Sequence, residues 1–114
     1  MFSRLFSGSR TEADASVIEH DELKKALNEG TCALVDVREP AEFRAGRIAH
    51  SMNLPLSRFD PAELPSGAPV ILICRSGARS ASALNRARRA GRSDVRHYAG
   101  GVIGWEAKGG RLTQ

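Results

Sequence analysis

Two short apolar runs, Cys32-Ala-Leu-Val-Asp-Val37 and Val70-Ile-Leu-Ile73, constrain this chain more than any other feature. Neither alternates apolar with polar residues, so neither suits a strand with one wet face. A nearly continuous apolar run of this length suits a strand covered on both sides, as in a parallel sheet flanked by helices.

The segments around these runs fit that frame. Val17-Ile18 reads as a short strand. His20-Asp21 opens a helix in which Leu23, Ala26 and Leu27 recur at helical spacing, and Gly30 closes it. Arg38-Glu39-Pro40 breaks the first run, with Pro40 placed for the first turn of a short helix through Arg44. Residues 48–56 read as a short strand. Residues 57–68, with Pro61, Pro65 and Gly67, read as a surface loop carrying one helical turn.

In residues 80–90, Ala83, Leu84, Ala87 and Ala90 fall on one helical arc; Asn85, Arg86, Arg88 and Arg89 fall on the other. Val95–Tyr98 reads as a last strand, and Gly100-Gly101 turns the chain into a final short helix. These two glycines and Trp105 read as structural. Strands alternating with helices predict an α/β fold with a mostly parallel sheet. If the runs at 32–37 and 70–73 are parallel, Asp36 and Cys74 share the carboxyl edge, where open α/β sheets hold their ligands.

At 114 residues the chain is one domain. It divides into a tail over residues 1–15, a domain over 16–110 and a short tail over 111–114. The first ten residues hold Arg4, Arg10, three serines and no acid, a faint likeness to an organellar presequence; a frayed tail is the simpler reading. Two cysteines make no disulfide framework and fit a reducing compartment, so a cytoplasmic location is expected. No window approaches the apolar length of a membrane span. His20, His50 and His97 are scattered and share no ligand spacing with the cysteines, so no metal is expected.

Charge is unevenly placed. Residues 1–69 carry 8 Lys/Arg against 11 Asp/Glu, whereas residues 70–114 carry 9 against 2. The basic half should attract anions or an acidic partner. With one Tyr, one Trp and no aromatics among the arginines, it offers no stacking surface for nucleic acid. Arg86, Arg88, Arg89 and Arg92 read as a solvated helix face; docking of an acidic acceptor protein is the alternative.

The basic half also holds Cys74-Arg75-Ser76-Gly77-Ala78-Arg79-Ser80, which starts where the second apolar run stops. A short glycine-bearing loop opening into a helix can aim several backbone N–H groups at one point. That field favours thiolate over thiol, and the thiolate is the nucleophile. Arg75 and Arg79 would lower the cysteine's pKa further and draw in an anionic donor. Cys74 therefore reads as an activated sulfur nucleophile. Asp36 reads as a loop anchor with Arg38 nearby to pair with, and Cys32 as core.

The chain resembles the single-domain rhodaneses, a family of sulfurtransferases, over roughly residues 16–110. The resemblance rests on Asp36-Val-Arg-Glu-Pro40 with Glu42-Phe43, on Ile48 and Asn53-Leu-Pro55, on Cys74 to Ser80, and on Gly100-Gly101 with Trp105. It implies a five-stranded parallel sheet with helices on both faces and no cofactor. Cys74 would accept a sulfane sulfur from a small anionic donor such as thiosulfate, become a persulfide and pass the sulfur to cyanide or a thiol. Residues Arg75, Ser76, Gly77, Ala78 and Arg79 would cradle it, with both arginines bordering the donor site.

Where the family often has Gly-His-Ile-Pro-Gly-Ala, this chain reads Gly46-Arg-Ile-Ala-His-Ser51. Ala87 and Arg92 also replace larger apolar residues. Cysteine-dependent phosphatases share the thiolate and amide cradle but place the arginine six positions after the cysteine. Arg79 is five after Cys74, which makes a concavity suited to one sulfur atom. A binding module on the same fold, or a sulfur relay to a partner protein, is the other reading.

Overall fold

A computed structural model of the chain describes residues 15–114. Both apolar runs become central strands. β1 (Ala33–Asp36), β2 (Met52–Asn53), β3 (Val70–Ile73) and β4 (Val95–His97) form a parallel sheet in the order β2-β1-β3-β4. Val35 pairs with Leu72, and Leu72 with His97. The helices are α1 (His20–Glu29), α2 (Pro40–Ala45), α3 (Ala78–Arg89) and α4 (Gly101–Ala107). Two 3-10 turns, Leu56–Arg58 and Pro61–Glu63, interrupt the loop before β3.

Because successive strand residues point to opposite faces, an all-apolar strand requires cover on both. Val35, Val37, Val70, Leu72, Cys74 and Val95 pack against Ala83, Leu84 and Ala87 of α3 and against Phe59 and Leu64. Leu34, Ile71 and Ile73 face the other way, onto Ile18, Leu23 of α1, Tyr98, and Val102 and Trp105 of α4. Helices thus cover both faces of the sheet.

Among the described residues the sheet has four strands, not the five the resemblance implied. Val17 makes a single parallel bridge to His97, and the Ile18 amide donates to the His97 carbonyl at 3.0 Å. Only three residues separate helical Ser16 from the start of α1 at His20, and of these only Val17 bridges the sheet. Residues 48–56 likewise yield only Met52–Asn53. The backbone turns at His50 (φ 69°), closed by the Ser51 amide and hydroxyl donating to the Ile48 carbonyl. Arg47 exchanges both backbone hydrogen bonds with Thr113 instead, at 2.8 and 2.7 Å. Residues 111–114 are thereby tied to the fold, with Leu112 seated over Gly46. The N-terminal readings fall on residues 1–14, outside the described residues.

The arginines after the Cys74 loop are not one solvated face. Arg86 and Arg89 are exposed. Half-buried Arg88 donates to the Val95 carbonyl at 2.9 Å, and Arg92 bonds Asp94 and the carbonyl of Pro65. The Arg88 Nε is the one buried side-chain nitrogen or oxygen left without a partner among the described residues. Guanidinium stems can cover apolar surface while the head finds carbonyls, which a helical wheel of charges does not reveal. Ala90, placed on the apolar arc, is exposed past the end of α3.

Cys32 and Cys74 lie at opposite ends of adjacent parallel strands. Ala33 pairs with Val70 and Asp36 with Ile73, so Cys32 falls beside Pro69. The offset from Cys74 is about 16 Å of strand, whereas a disulfide needs Cα atoms within about 7 Å. Cys32 is half-buried, and burial pushes its thiol up against a weaker pull from Arg96. Mild oxidation of the monomer should therefore form no intrachain disulfide, checked by thiol titration and non-reducing peptide mass mapping. Cys32→Ser should stay folded, at a cost of about 1 kcal/mol or less for the half-buried hydroxyl, read from a urea unfolding curve.

Candidate active site

β3 ends at Ile73, and the next four residues are shaped by backbone contact with the start of α4. The Val102 amide donates to the Cys74 carbonyl at 2.8 Å and the Ile103 amide to the Arg75 carbonyl at 3.1 Å. Gly77 holds φ 109°, and a Cβ there would fall on the Ala99 carbonyl. Gly101 holds φ 67°, and a Cβ there would collide with the Arg75 carbonyl. Two backbone segments meet with no room for a side chain, and both glycines sit where other residues are strained. The sequence assigns Gly101 a structural role and Gly77 a place in the cradle; the close approach gives the reason for both glycines.

This clamp aims the loop at the sulfur. Cys74 is 1% exposed, and its Sγ accepts from the Gly77 amide at 3.1 Å and the Ser80 amide at 3.3 Å. The Ser80 hydroxyl lies 3.6 Å from Sγ. Burial alone would push the thiol up. Hydrogen bonds from the Ser80 hydroxyl and from the amides of Ser80, Gly77 and Ser76 together outweigh it, leaving Cys74 below the ordinary thiol range. The amides of Gly77 and Ser80 belong to the first turn of α3, whose dipole acts in the same direction. Such an environment favours thiolate over thiol.

The two loop arginines differ. Arg75 is exposed on the rim. Arg79 forms a two-pronged ion pair with Glu42, at 2.7 and 3.0 Å. The hydrogen bond from Arg79 does most to bring the Glu42 carboxyl down, to about 2. Glu42 also closes the capping box of α2 with Glu39, whose carboxylate accepts from the Ser57 hydroxyl at 2.7 Å. The Arg79–Glu42 pair therefore straps the first turn of α3 to α2. With each partner one-third exposed, its strength is that of a well-aligned surface pair.

Asp36 and Arg38 are paired and buried, at 2.8 Å. Asp36 also accepts the Arg38 amide at 2.9 Å, and Arg38 reaches the Gly46 carbonyl at 2.7 Å. Asn53 donates to the carbonyls of Asp36 and Arg38. This cluster braces the bend after β1, and neither side chain bonds Sγ. An open cavity of about 220 Å³ lies beside the loop, lined in part by Arg38, Glu42, Arg75, Ile103 and Glu106.

Of the residues singled out in the sequence, the structure gathers Cys74, Ser76 and Gly77 around the sulfur, and leaves Arg75 and Ala78 on the rim. It turns Arg79 to Glu42 and sets Asp36 with Arg38 behind the bend. Sequence reasoning gave no role to Ser80 or Glu42, although both stand in quoted motifs. A serine three residues past a loop glycine, at the start of a helix, was the available signal for Ser80. No sequence signal paired Glu42 with a residue 37 positions away.

Residues 19–108 match the model of the Rhodanese-like domain. This chain belongs to the rhodanese-like family. It is 39% identical over 89 residues to the uncharacterized protein slr1261 of Synechocystis, covering 76% of this chain and 50% of that one. It is 37% identical over 78 residues to a protein of Allochromatium vinosum named Sulfurtransferase, covering 67% of this chain and 73% of that one. The human single-domain sulfurtransferase TSTD1 superimposes with a TM-score of 0.71 at 28% identity, over 82% of this chain and 96% of that one. The chain spans half the length, or less, of several curated relatives that it matches. The rhodanese-like family and its sulfurtransferase-named members support sulfurtransferase activity at family level.

Two predictions follow from the clamp and the strap. Gly101→Ala should destabilise the protein by more than about 1 kcal/mol, because a forced φ and a backbone collision combine; thermal unfolding reads the loss. For Glu42→Gln the sign follows from a folded-state pKa brought from 4.5 to about 2. The wild-type advantage over the variant should be full above pH 4.5 and fade as pH falls toward 2. Urea unfolding of both proteins across that range checks it.

Proposed function

We propose that this protein is a rhodanese-type sulfurtransferase that moves a sulfane sulfur through a persulfide on Cys74. One observation carries the reading: a buried sulfur at the carboxyl edge of the sheet accepts hydrogen bonds from the amides of Gly77 and Ser80. A neutral core thiol gains little from two converging amides, whereas a thiolate is stabilised by both.

The chemistry runs in two displacements. The Cys74 thiolate attacks the outer sulfur of thiosulfate; an S–S bond forms at Sγ, the donor's S–S bond breaks, and its electron pair departs with sulfite. A nucleophilic acceptor, cyanide or a thiolate, then attacks the outer sulfur, and Cys74 leaves as thiolate. No electrons are gained or lost overall and no cofactor is required. The amides that stabilise the leaving thiolate also favour the second step, since a lower-pKa thiol leaves faster.

Among the described residues, Arg75, exposed on the rim, is placed to meet the donor's anionic oxygens. Arg79 already shares its charge with Glu42, so its contribution is to hold the first turn of α3. This division revises the equal roles that the sequence suggested for the two. The exposed Arg86 and Arg89 supply at most a screened, long-range attraction.

Incubation with thiosulfate should add the mass of one sulfur atom to the intact protein, and Cys74→Ser should abolish both the adduct and thiocyanate production while remaining folded. Wild-type turnover in that variant would refute the assignment. Arg75→Ala should raise the KM for thiosulfate about tenfold, the loss of one charge-assisted contact, with little change in alkylation by neutral iodoacetamide. Arg79→Ala should slow both reactions, because it loosens the loop that holds the sulfur.

A further inference from the structure

We propose that His97 is a positioning residue for the Cys74 thiolate, acting through the Ser80 hydroxyl. The proposal rests on the reading of Cys74 as the nucleophile. It comes from a buried chain of polar atoms that the residues around the sulfur do not by themselves explain. Ser80 is fully buried on α3 and His97 is 8% exposed on β4, with the Ser80 Oγ 2.8 Å from the His97 Nδ1. The same Oγ is 3.1 Å from the Gly77 carbonyl and 3.6 Å from the Cys74 Sγ.

A serine hydroxyl has one proton and two lone pairs. Three neighbours compete here for that one proton, and Nδ1 is the nearest. If Nδ1 is unprotonated it takes the Ser80 proton, and Ser80 can then offer Sγ only a lone pair. That arrangement suits a thiol, whose S–H donates to Oγ, and opposes a thiolate. If Nδ1 carries a proton it donates to Oγ, and the Ser80 proton is released toward Sγ or the Gly77 carbonyl. The state of His97 therefore decides whether Ser80 is complementary to the thiol or to the thiolate. A neutral imidazole protonated on Nδ1 is sufficient, and burial favours the neutral ring.

Other ionisable groups do not explain the contact. α3 brings Arg79, Arg86, Arg88 and Arg89 toward this side of the sheet, but Arg79 is paired with Glu42 and Arg88 bonds the Val95 carbonyl. Arg86 and Arg89 face solvent. Arg96, next to His97 on β4, pairs with Glu22 of α1 on the opposite face. Glu19, beside the bridge to Val17, is exposed. Just past the end of β3, Cys74 is the titratable group that Ser80 links to His97. None of the charged groups hydrogen-bonds the imidazole.

The test measures iodoacetamide alkylation against pH in a Cys32→Ser background, so that Cys74 is the only thiol. Alkylation reads the thiolate alone, so its outcome is separate from whether thiosulfate is turned over. His97→Leu should raise the pH midpoint by about one unit and slow the reaction at neutral pH about tenfold. His97→Asn, whose amide can donate from near the Nδ1 position, should recover most of the parental profile. Ser80→Ala should show the same shift as His97→Leu, and the double variant should be no worse than either single one. A parental profile in His97→Leu, failure of His97→Asn to rescue, or fully additive shifts would overturn the proposal. Should His97→Leu not fold, ring 15N shifts in the Cys32→Ser protein decide. Nδ1 should be protonated when Cys74 is thiolate, and a bare Nδ1 across the cysteine titration would overturn the proposal.

Discussion

The close approach of two backbone segments governs the rest of this molecule. Where the chain leaves β3, the carbonyls of Cys74 and Arg75 are taken up by the amides of Val102 and Ile103. With those carbonyls bound to α4, the amides that follow them are free to turn inward, and they meet at the sulfur. Gly77 and Gly101 permit the contact because nothing projects between the segments. Oriented peptide groups need no reorganisation when charge develops on an atom at their focus. The hydrogen-bonding surroundings of Cys74 are thus decided by how the sheet's carboxyl edge meets α4, which begins 27 residues further along the chain.

Side-chain ion pairs hold the surroundings of this focus without touching the sulfur. Asp36 and Arg38 fix the bend after β1, and Glu42 with Arg79 ties the next helix to α3. Both pairs draw one partner or both from the segment Asp36 to Glu42. That segment joins the motif after β1 to the one after β3. In this chain a conspicuous run of charges is mostly mechanical, and the Ser80 hydroxyl and backbone amides, not charged side chains, offset the burial of the sulfur.

Much of this was legible from residue order alone. Continuous apolar runs marked β1 and β3, because a strand covered on both faces has no polar side to show. Cys74 stood out because a thiol, a glycine and a helix start were contiguous. What was hidden depended on contacts between distant parts. Val17 and residues 48–56 had apolar composition suited to strands, but neighbouring helix and turn left them one bridge and two residues. Arg88 and Arg92 are indistinguishable in sequence from solvated charges until the carbonyls of Val95 and Pro65 are placed beside them. Ser80 and His97 are 17 residues apart, and only the packing of α3 on β4 brings them together. Local pattern reveals elements; the partners of buried polar atoms are a property of topology.

The separation of the two thiols by the length of a strand has a consequence for sulfur traffic. A persulfide on Cys74 would meet no second thiol of its own chain, since Cys32 opens at the far edge of the sheet. Its discharge would depend wholly on an outside nucleophile, and its lifetime on how much of that nucleophile is present. With the proposed function, the protein would behave as a store that empties on contact, its occupancy set by the balance of donors and acceptors in its surroundings.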